Sequence, residues 1–147
     1  MNDIFDRILI LKNSSIFSQA NTEDLLVVAQ ALDEELYFKN DRIFEIDERG
    51  DKMFMIQSGK VGISTRNNGA SNDYIAVLSE GECFGEMNLL DDLPRSATAH
   101  VLEDTNILAL KKEKLRGLII KYPELSLGIM RSLSIRLRNT TNLLNDG

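Results

Sequence analysis

The residues best suited to bind an anion lie between positions 81 and 99 of the chain. Arg95 follows a proline and precedes the small residues Ser96 and Ala97, and a guanidinium group can pair with two phosphate oxygens at once. Gly85 begins a short stretch of helix-like composition. Free backbone N–H groups at a helix start, and a residue without a Cβ, allow a ligand to approach the backbone closely. These residues predict a site for a single phosphate group.

Glu86 adds a second chemistry nine positions before Arg95. A carboxylate cannot bind phosphate, but it accepts hydrogen bonds from sugar hydroxyl groups. The segment therefore offers an anion site and a hydroxyl acceptor nine positions apart. A structural ion pair between Glu86 and Arg95 that binds nothing is the alternative.

The elements that must position these residues are predicted from the spacing of apolar residues. Residues 1–32 have a helical pattern, with Asn21 or Thr22 as the N-cap of the second helix. Residues 34–110 contain short apolar runs separated by turn residues, which indicates an antiparallel barrel or sandwich. Asn68 and Gly69 predict a hairpin turn.

Residues 111–144 are helical again, and Tyr122 and Pro123 divide them because the residue before a proline avoids the α conformation. The second of these helices carries a short heptad seam, made of Met130, Leu133, Leu137, Thr140 and Leu144. Such a seam is typical of simple packing or of a dimer contact, and we favour a homodimer.

Composition limits the function further. The chain has 147 residues, enough for one domain, and a net charge of −6, which argues against direct nucleic-acid binding. Cys83 is the only cysteine. No internal disulfide can form, which favours the reducing cytoplasm, and we interpret Cys83 as a packed residue. No apolar run is long enough for a transmembrane helix.

The segment 84–98 resembles a known cassette. The segment contains Phe84, Gly85 and Glu86, then an arginine nine positions after the glutamate, and then Ser-Ala-Thr-Ala. This pattern is similar to the phosphate-binding cassette of the cyclic-nucleotide-binding domain family. That family includes the catabolite activator proteins, the regulatory subunits of cyclic-AMP-dependent protein kinase and cytoplasmic domains of cyclic-nucleotide-gated channels. Residues 50–61 look like the family's turn–strand–turn unit, and the order of helices and strands extends the resemblance over nearly the whole chain.

The resemblance implies a fold for residues 1–147 as a single domain. This fold is mainly β with flanking helices: an antiparallel β-barrel of the double-stranded β-helix or jelly-roll type. Helices precede the barrel, a short helix lies in the cassette 84–98, and two helices follow the barrel. Asn88 replaces a small apolar residue of the cassette, a change that is tolerated if Asn88 faces solvent.

The resemblance also implies ligand contacts. Glu86 would bind the ribose 2′-hydroxyl and Arg95 the exocyclic phosphate oxygens. The sugar would lie near Gly85, and the base or ribose would be walled by residues on two facing strands. The implied ligand-binding residues are Ile63, Ile75, Phe84, Gly85, Glu86, Arg95, Ser96, Ala97, Thr140 and Thr141.

The implied function is that of a regulatory sensor, not an enzyme. Its ligand would be cAMP, which the match of Thr140 and Thr141 to the activator proteins favours, or cGMP, with no metal. Ligand binding would move the C-terminal helices and signal to an unidentified protein partner. The alternatives are a module of the same fold that only dimerises, and a cupin-like metalloenzyme. The metalloenzyme needs several histidines, whereas His100 is the only one, and we interpret it as a strand-face residue.

Overall fold

The computed structural model describes residues 3–65 and 74–146, and for residues 145 and 146 it describes the backbone only. Asn68 and Gly69, where a hairpin turn is predicted, lie outside the described residues. The chain divides into two compact units. A helical unit comprises Met1–Ala31 and Lys114–Gly147, and a β unit comprises Leu32–Glu113.

The helical unit begins with α1, Ile4–Lys12, and α2, Thr22–Gln30. The predicted N-cap at Asn21 is confirmed, since its side chain accepts a hydrogen bond of 2.8 Å from the backbone N–H of Asp24. Asp3 caps α1 in the same way through the N–H of Asp6. Both caps satisfy donors that would otherwise lack a partner within the helix.

The last two helices are α3, Lys112–Lys121, and α4, Glu124–Asp146, and the predicted break between them is confirmed. The first half of α4 is anchored within the helical unit, because Ser132 Oγ accepts a 2.9 Å hydrogen bond from the N–H of Gln19. In the described part of the chain, none of the helices has the length and apolar character needed to cross a bilayer.

Among its described residues, the β unit has eight strands in two four-stranded sheets, and every ladder between these strands is antiparallel. The first sheet has the order β1 (Asp33–Tyr37), β8 (Thr105–Lys111), β3 (Lys52–Ser58) and β6 (Cys83–Phe84). The second has the order β2 (Arg42–Phe44), β7 (Thr98–Val101), β4 (Val61–Ser64) and β5 (Ala76–Leu78).

This arrangement confirms the predicted jelly-roll-like fold with flanking helices but corrects its closure. The described strands form two separate sheets and no closed barrel, because no ladder among them joins one sheet to the other. Apolar residues from both sheets face each other and form the core. Its buried members are Phe44, Phe54, Ile56, Val61, Phe84, Ala99, Ile107 and Ala109.

Three aromatic rings form one end of this core. Phe54 on β3 stacks on Phe84 on β6 with ring centroids 5.3 Å apart, and Phe44 on β2 lies 5.8 Å from Phe54. The register explains the first contact, since Phe54 and Phe84 are direct partners in the ladder. We call Phe44, Phe54 and Phe84 the aromatic floor, because the candidate site is built on it.

Candidate functional site

Arg95 lies on the aromatic floor and is almost completely withdrawn from solvent. Its side chain is only 5% exposed. Its guanidinium carbon is 4.1 Å from the centroid of the Phe44 ring and 5.6 Å from that of Phe54. Such contacts between a cation and aromatic faces stabilise the charge. They do not replace hydrogen bonds, which a buried charge requires.

In the described part of the chain, the hydrogen-bond acceptors of Arg95 are all neutral. Nη1 donates to Gly85 O at 3.2 Å and to Asn88 Oδ1 at 2.9 Å, and Nη2 donates to Lys52 O at 2.8 Å. Nε is buried and has no acceptor among the described residues. A guanidinium carries five N–H donors, and three of them are used here. Nη2 makes one hydrogen bond to the described residues and Nε makes none, and these two atoms form one edge of the planar group.

The electrostatics of Arg95 follow from this burial. Removal from water lowers the pKa of its guanidinium, and the nearby carboxylates of Asp51, Glu48 and Asp91 act in the opposite direction. The group nevertheless stays protonated, because the ordinary pKa of arginine is so high. Among the described residues, Arg95 donates to two carbonyls and one amide and not to the carboxylate of Glu86.

The backbone of Arg95 is fixed by the turn that follows β2. The N–H of Asp47 donates to Arg95 O at 2.8 Å, and the N–H of Arg95 donates to Glu48 O at 2.7 Å. Gly50 then passes directly beside the guanidinium, where a Cβ would lie 2.4 Å from Arg95 Nε and 2.7 Å from Asn88 Cγ. Only glycine fits at this position without displacing one of these groups.

Gly85 and Glu86 lie where the cassette turns into its short helix. Gly85 has a left-handed φ of 70°, and a Cβ there would lie 2.5 Å from Arg95 Nη1. The predicted cassette helix is observed as a 3₁₀ helix, Glu86–Leu89. Glu86 is half-buried, with its Oε2 atom withdrawn from solvent. Burial, followed by the carboxylates of Glu86 and Glu82, raises the pKa of Cys83 to about 12.

Asn88 corrects one expectation from the sequence. It does not face solvent: its side chain is 7% exposed and accepts the hydrogen bond from Arg95 Nη1 described above. The 3₁₀ helix turns this residue inward with Leu89, while Met87 and Leu90 are exposed. A polar residue in place of a small apolar one is therefore accommodated because it is hydrogen-bonded.

The structure separates two residues that were predicted to wall the same pocket. Ile63 is partly buried and packs against the core, whereas Ile75 is 60% exposed. Ala76, not Ile75, is the ladder partner of Ile63. Because side chains alternate between the two faces of a strand, Ile75 lies on the opposite face, and Ala76 takes its place beside Ile63.

The remaining predicted site residues have different settings. Phe84 is buried in the aromatic floor, Ser96 is exposed, and Ala97 is half-buried. Thr140 and Thr141 are exposed on α4, in the helical unit, and Thr140 Oγ1 donates to Arg136 O at 3.1 Å. A contact of these two threonines with a base stays a prediction.

His100 has the strand-face role expected of it. It lies on β7, where its Nε2 is 2.8 Å from Ser64 Oγ and its ring centroid is 5.3 Å from that of Tyr74. Burial, followed by the charge of Arg42, lowers the pKa of His100. Within the ranges that the structure describes, no group of three or more histidine, cysteine or carboxylate side chains is placed to hold a metal ion.

Sequence reasoning missed the residues that hold Arg95. Gly50 and Lys52 lie in the predicted turn–strand–turn unit 50–61, and the sequence predicts no role in the site for them or for Phe44. Lys52 contributes a backbone carbonyl, for which no side-chain pattern exists. Phe44 could have been suspected as an aromatic partner for a buried arginine, since such contacts are common.

Comparison with known proteins agrees with this geometry. Residues 34–122 match the family described as the cyclic nucleotide-binding domain. The chain is 34% identical over 128 residues to the cyclic AMP receptor protein of Thermus thermophilus, covering 87% of this chain and 59% of that one. It is 34% identical over 102 residues to a cAMP-dependent protein kinase regulatory subunit of Debaryomyces hansenii, covering 69% of this chain and 22% of that subunit.

The fold has a similar counterpart among solved structures. The N-terminal domain of a transcriptional regulator from Streptomyces coelicolor superposes with a TM-score of 0.82 at 26% identity, covering 90% of this chain and 95% of that domain. The chain spans about three-fifths of the length of the Thermus thermophilus receptor and of a CRP-like cAMP-activated global transcriptional regulator of Mycobacterium tuberculosis, to which it is 28% identical. The family match and the buried arginine of the cassette lead to one conclusion: this chain belongs to the cyclic nucleotide-binding domain family.

Proposed function

We propose that this chain binds a cyclic nucleotide, with cAMP as the ligand, and acts as a regulatory sensor. Arg95 takes two oxygens of the cyclic phosphate, and Glu86 accepts a hydrogen bond from the ribose 2′-hydroxyl. Ser96 and the backbone at Gly85 and Ala97 complete the phosphate and sugar contacts.

The observation that carries this proposal is the incomplete hydrogen bonding of Arg95. The side chain is 5% exposed, its three hydrogen bonds go to neutral acceptors, and its Nε has no acceptor among the described residues. A buried cation without an anionic hydrogen-bond partner is costly. Nε and Nη2 are neighbouring donor atoms of the kind that arginine uses for bidentate pairing with phosphate.

The choice of cAMP rests on the relatives. One is a cyclic AMP receptor protein and another is a regulatory subunit of a cAMP-dependent protein kinase. Ile63 and Ala76 offer apolar surface beside the core for the base or ribose. We keep Thr140 and Thr141 as candidate contacts for the base.

The signal would pass from the cassette to the C-terminal helices and then to a protein partner. Lys112, the first residue of α3, belongs to the β unit and donates to Asp91 O at 2.6 Å and to Asp92 Oδ1 at 2.5 Å. The start of α3 is thus tied to the loop between the 3₁₀ helix and Arg95. A ligand shifts the position of the helices only as far as it binds one state better than the other.

Calorimetry with cAMP and cGMP tests the proposal. Wild type should bind one of them, and Arg95→Lys should lose the bidentate pairing and bind at least tenfold more weakly, about 1.4 kcal/mol. The matched control is Arg116→Lys, because Arg116 is exposed on α3. Urea denaturation of each variant without ligand shows whether it is folded.

The calorimetry distinguishes a ligand-binding sensor from a module that binds no nucleotide. If folded wild type binds neither nucleotide, the alternative of a module that only dimerises takes its place. If Arg95→Lys binds as tightly as wild type, Arg95 is not the phosphate ligand.

A homodimer through α4 is the second part of the proposal. Several apolar side chains on this helix are exposed, among them Met130 at 58% and Leu137 at 67%. Exposed apolar residues at heptad spacing are typical of a helix that pairs with a second helix. Sedimentation in an ultracentrifuge should show a dimer in wild type and a weakened one in Leu137→Lys; a strict monomer with and without cAMP would reject it.

A further inference from the structure

We propose that Asn88 is a positioning residue for Arg95, which fixes the orientation of the guanidinium before the ligand arrives. This inference rests on the proposed function. Asn88 touches Arg95, and its role does not require contact with the ligand.

The first part of the evidence is the contact with the guanidinium itself. Asn88 Oδ1 accepts from Arg95 Nη1 at 2.9 Å, which is the shorter of the two hydrogen bonds of that atom. Gly85 O, at 3.2 Å, is the other. With two acceptors on Nη1, this end of the planar group is held in place, and the orientation of the whole rigid guanidinium follows from it.

The second part is the anchoring of Asn88. Its Nδ2 donates to Leu93 O at 2.7 Å, two residues before Arg95 in the chain. Asp91 Oδ1 accepts from the N–H of Leu93 at 3.2 Å and so supports the same loop. The amide group therefore ties the 3₁₀ helix both to the guanidinium and to the backbone that leads to Arg95.

The third part is the close packing around this contact. A Cβ at Gly50 would lie 2.7 Å from Asn88 Cγ and 2.6 Å from Arg95 Cζ, so Gly50 leaves room for both side chains and no more. Asn88 thus has little freedom to turn away. A binding group that is already oriented loses less conformational entropy when the ligand binds. A small apolar residue at position 88 could not supply the acceptor.

The test uses Asn88→Ala, with Asn106→Ala as the matched control. Asn106 is exposed, and its side chain bonds only to Ser58 Oγ among the described residues. Binding of cAMP is measured by calorimetry. Nitrogen and proton NMR of the ligand-free chain follows the Arg95 guanidinium resonances, assigned by their loss in Arg95→Lys. We expect Asn88→Ala to bind cAMP about tenfold more weakly and its Arg95 Nη resonances to merge, because rotation of that end is no longer restrained.

A purely structural role would lower stability without changing the restraint on Arg95. Should Asn88→Ala unfold, Asn88→Asp provides the second test. It keeps an acceptor at Oδ1 but adds an anion beside Arg95, so we expect restrained resonances together with cAMP binding more than tenfold weaker.

The inference is overturned if a folded Asn88 variant keeps both wild-type affinity and wild-type resonances. It is likewise overturned if affinity falls equally in Asn106→Ala. If wild type binds no cyclic nucleotide, the proposed function is overturned. If wild type and Asn88→Ala bind cAMP equally well, only the role of Asn88 is overturned.

Discussion

A single methyl group added at Gly50 is expected to weaken cyclic-nucleotide binding by displacing Arg95. The new Cβ would lie 2.4 Å from Arg95 Nε and 2.6 Å from Cζ. Gly50 itself does not have a left-handed φ, so alanine suits its backbone. The effect of Gly50→Ala therefore comes from contact alone.

The size of the displacement follows from ordinary contact distances. Carbon and nitrogen atoms that are not bonded approach to about 3.5 Å, so the guanidinium must move by roughly 1 Å. The hydrogen bonds from Arg95 to Lys52 O, Asn88 Oδ1 and Gly85 O are 2.8, 2.9 and 3.2 Å long. A shift of that size breaks at least one of them, at a cost of about 1–3 kcal/mol in stability.

The same shift misplaces the edge that is proposed to meet the phosphate. We expect cAMP to bind about 10–100-fold more weakly to Gly50→Ala, measured by calorimetry beside urea denaturation. Gly117→Ala is the control, because a Cβ there meets nothing within 4 Å. On the exposed face of α3 it should leave affinity unchanged and raise the free energy of unfolding by about 0.5–1 kcal/mol. Wild-type affinity and stability in Gly50→Ala would refute the reasoning.

Three further predictions concern single side chains. The pKa of His100 is lowered in the folded chain, so the unfolded chain takes up a proton first as the pH drops. The contribution of His100 to the free energy of unfolding is therefore complete above the ordinary pKa of about 6.5 and is lost as the pH drops through the lower, folded value. Urea titrations between pH 7.5 and 5.5 should show a smaller loss in His100→Gln than in wild type, and an equal loss in both would contradict the prediction. The pKa of Cys83 is raised to about 12, so little of this thiol is ionised at pH 8. Iodoacetamide should therefore modify Cys83 in the native chain at least about 100-fold more slowly than in the urea-unfolded chain, and similar rates would be inconsistent with a packed thiol. Asn21→Ala removes the N-cap bond to Asp24 and should lower the free energy of unfolding by about 1 kcal/mol in urea denaturation, whereas Asn142→Ala on the exposed face of α4 should change it little.

Much of the fold could be predicted because its signals are local. The Asn21 cap and the break at Pro123 depend on neighbouring residues, and both are confirmed. Strand β1 was not predicted, since Asp33–Tyr37 begins with three acidic residues and lacks an apolar run. It is held by its ladder with β8, a contact between residues far apart in the sequence.

The sequence singles out candidate ligand-binding residues but not the residues that hold them in place. Spacing alone singled out Glu86 and Arg95, but the contacts of Arg95 with Phe44, Lys52 and Gly50 join segments about 40 residues or more away. Only folding brings these segments together.

The exposure of Asn88 and of Ile75 differs from what the sequence predicts, in opposite directions. An asparagine expected to face solvent is buried because a 3₁₀ helix directs it toward Arg95. An isoleucine expected to face the pocket is exposed because the register places Ala76 opposite Ile63. A shift of one residue along a strand reverses which face a side chain occupies, and sequence alone does not fix that shift.

A crystal structure of the chain with cAMP tests the central claim most directly. We predict that two phosphate oxygens accept hydrogen bonds of about 2.7–2.9 Å from Arg95 Nε and Nη2, while Lys52 O, Gly85 O and Asn88 Oδ1 keep the other donors. A structure in which cAMP is bound but its phosphate lies away from Arg95, with Nε still lacking an acceptor, would contradict the account.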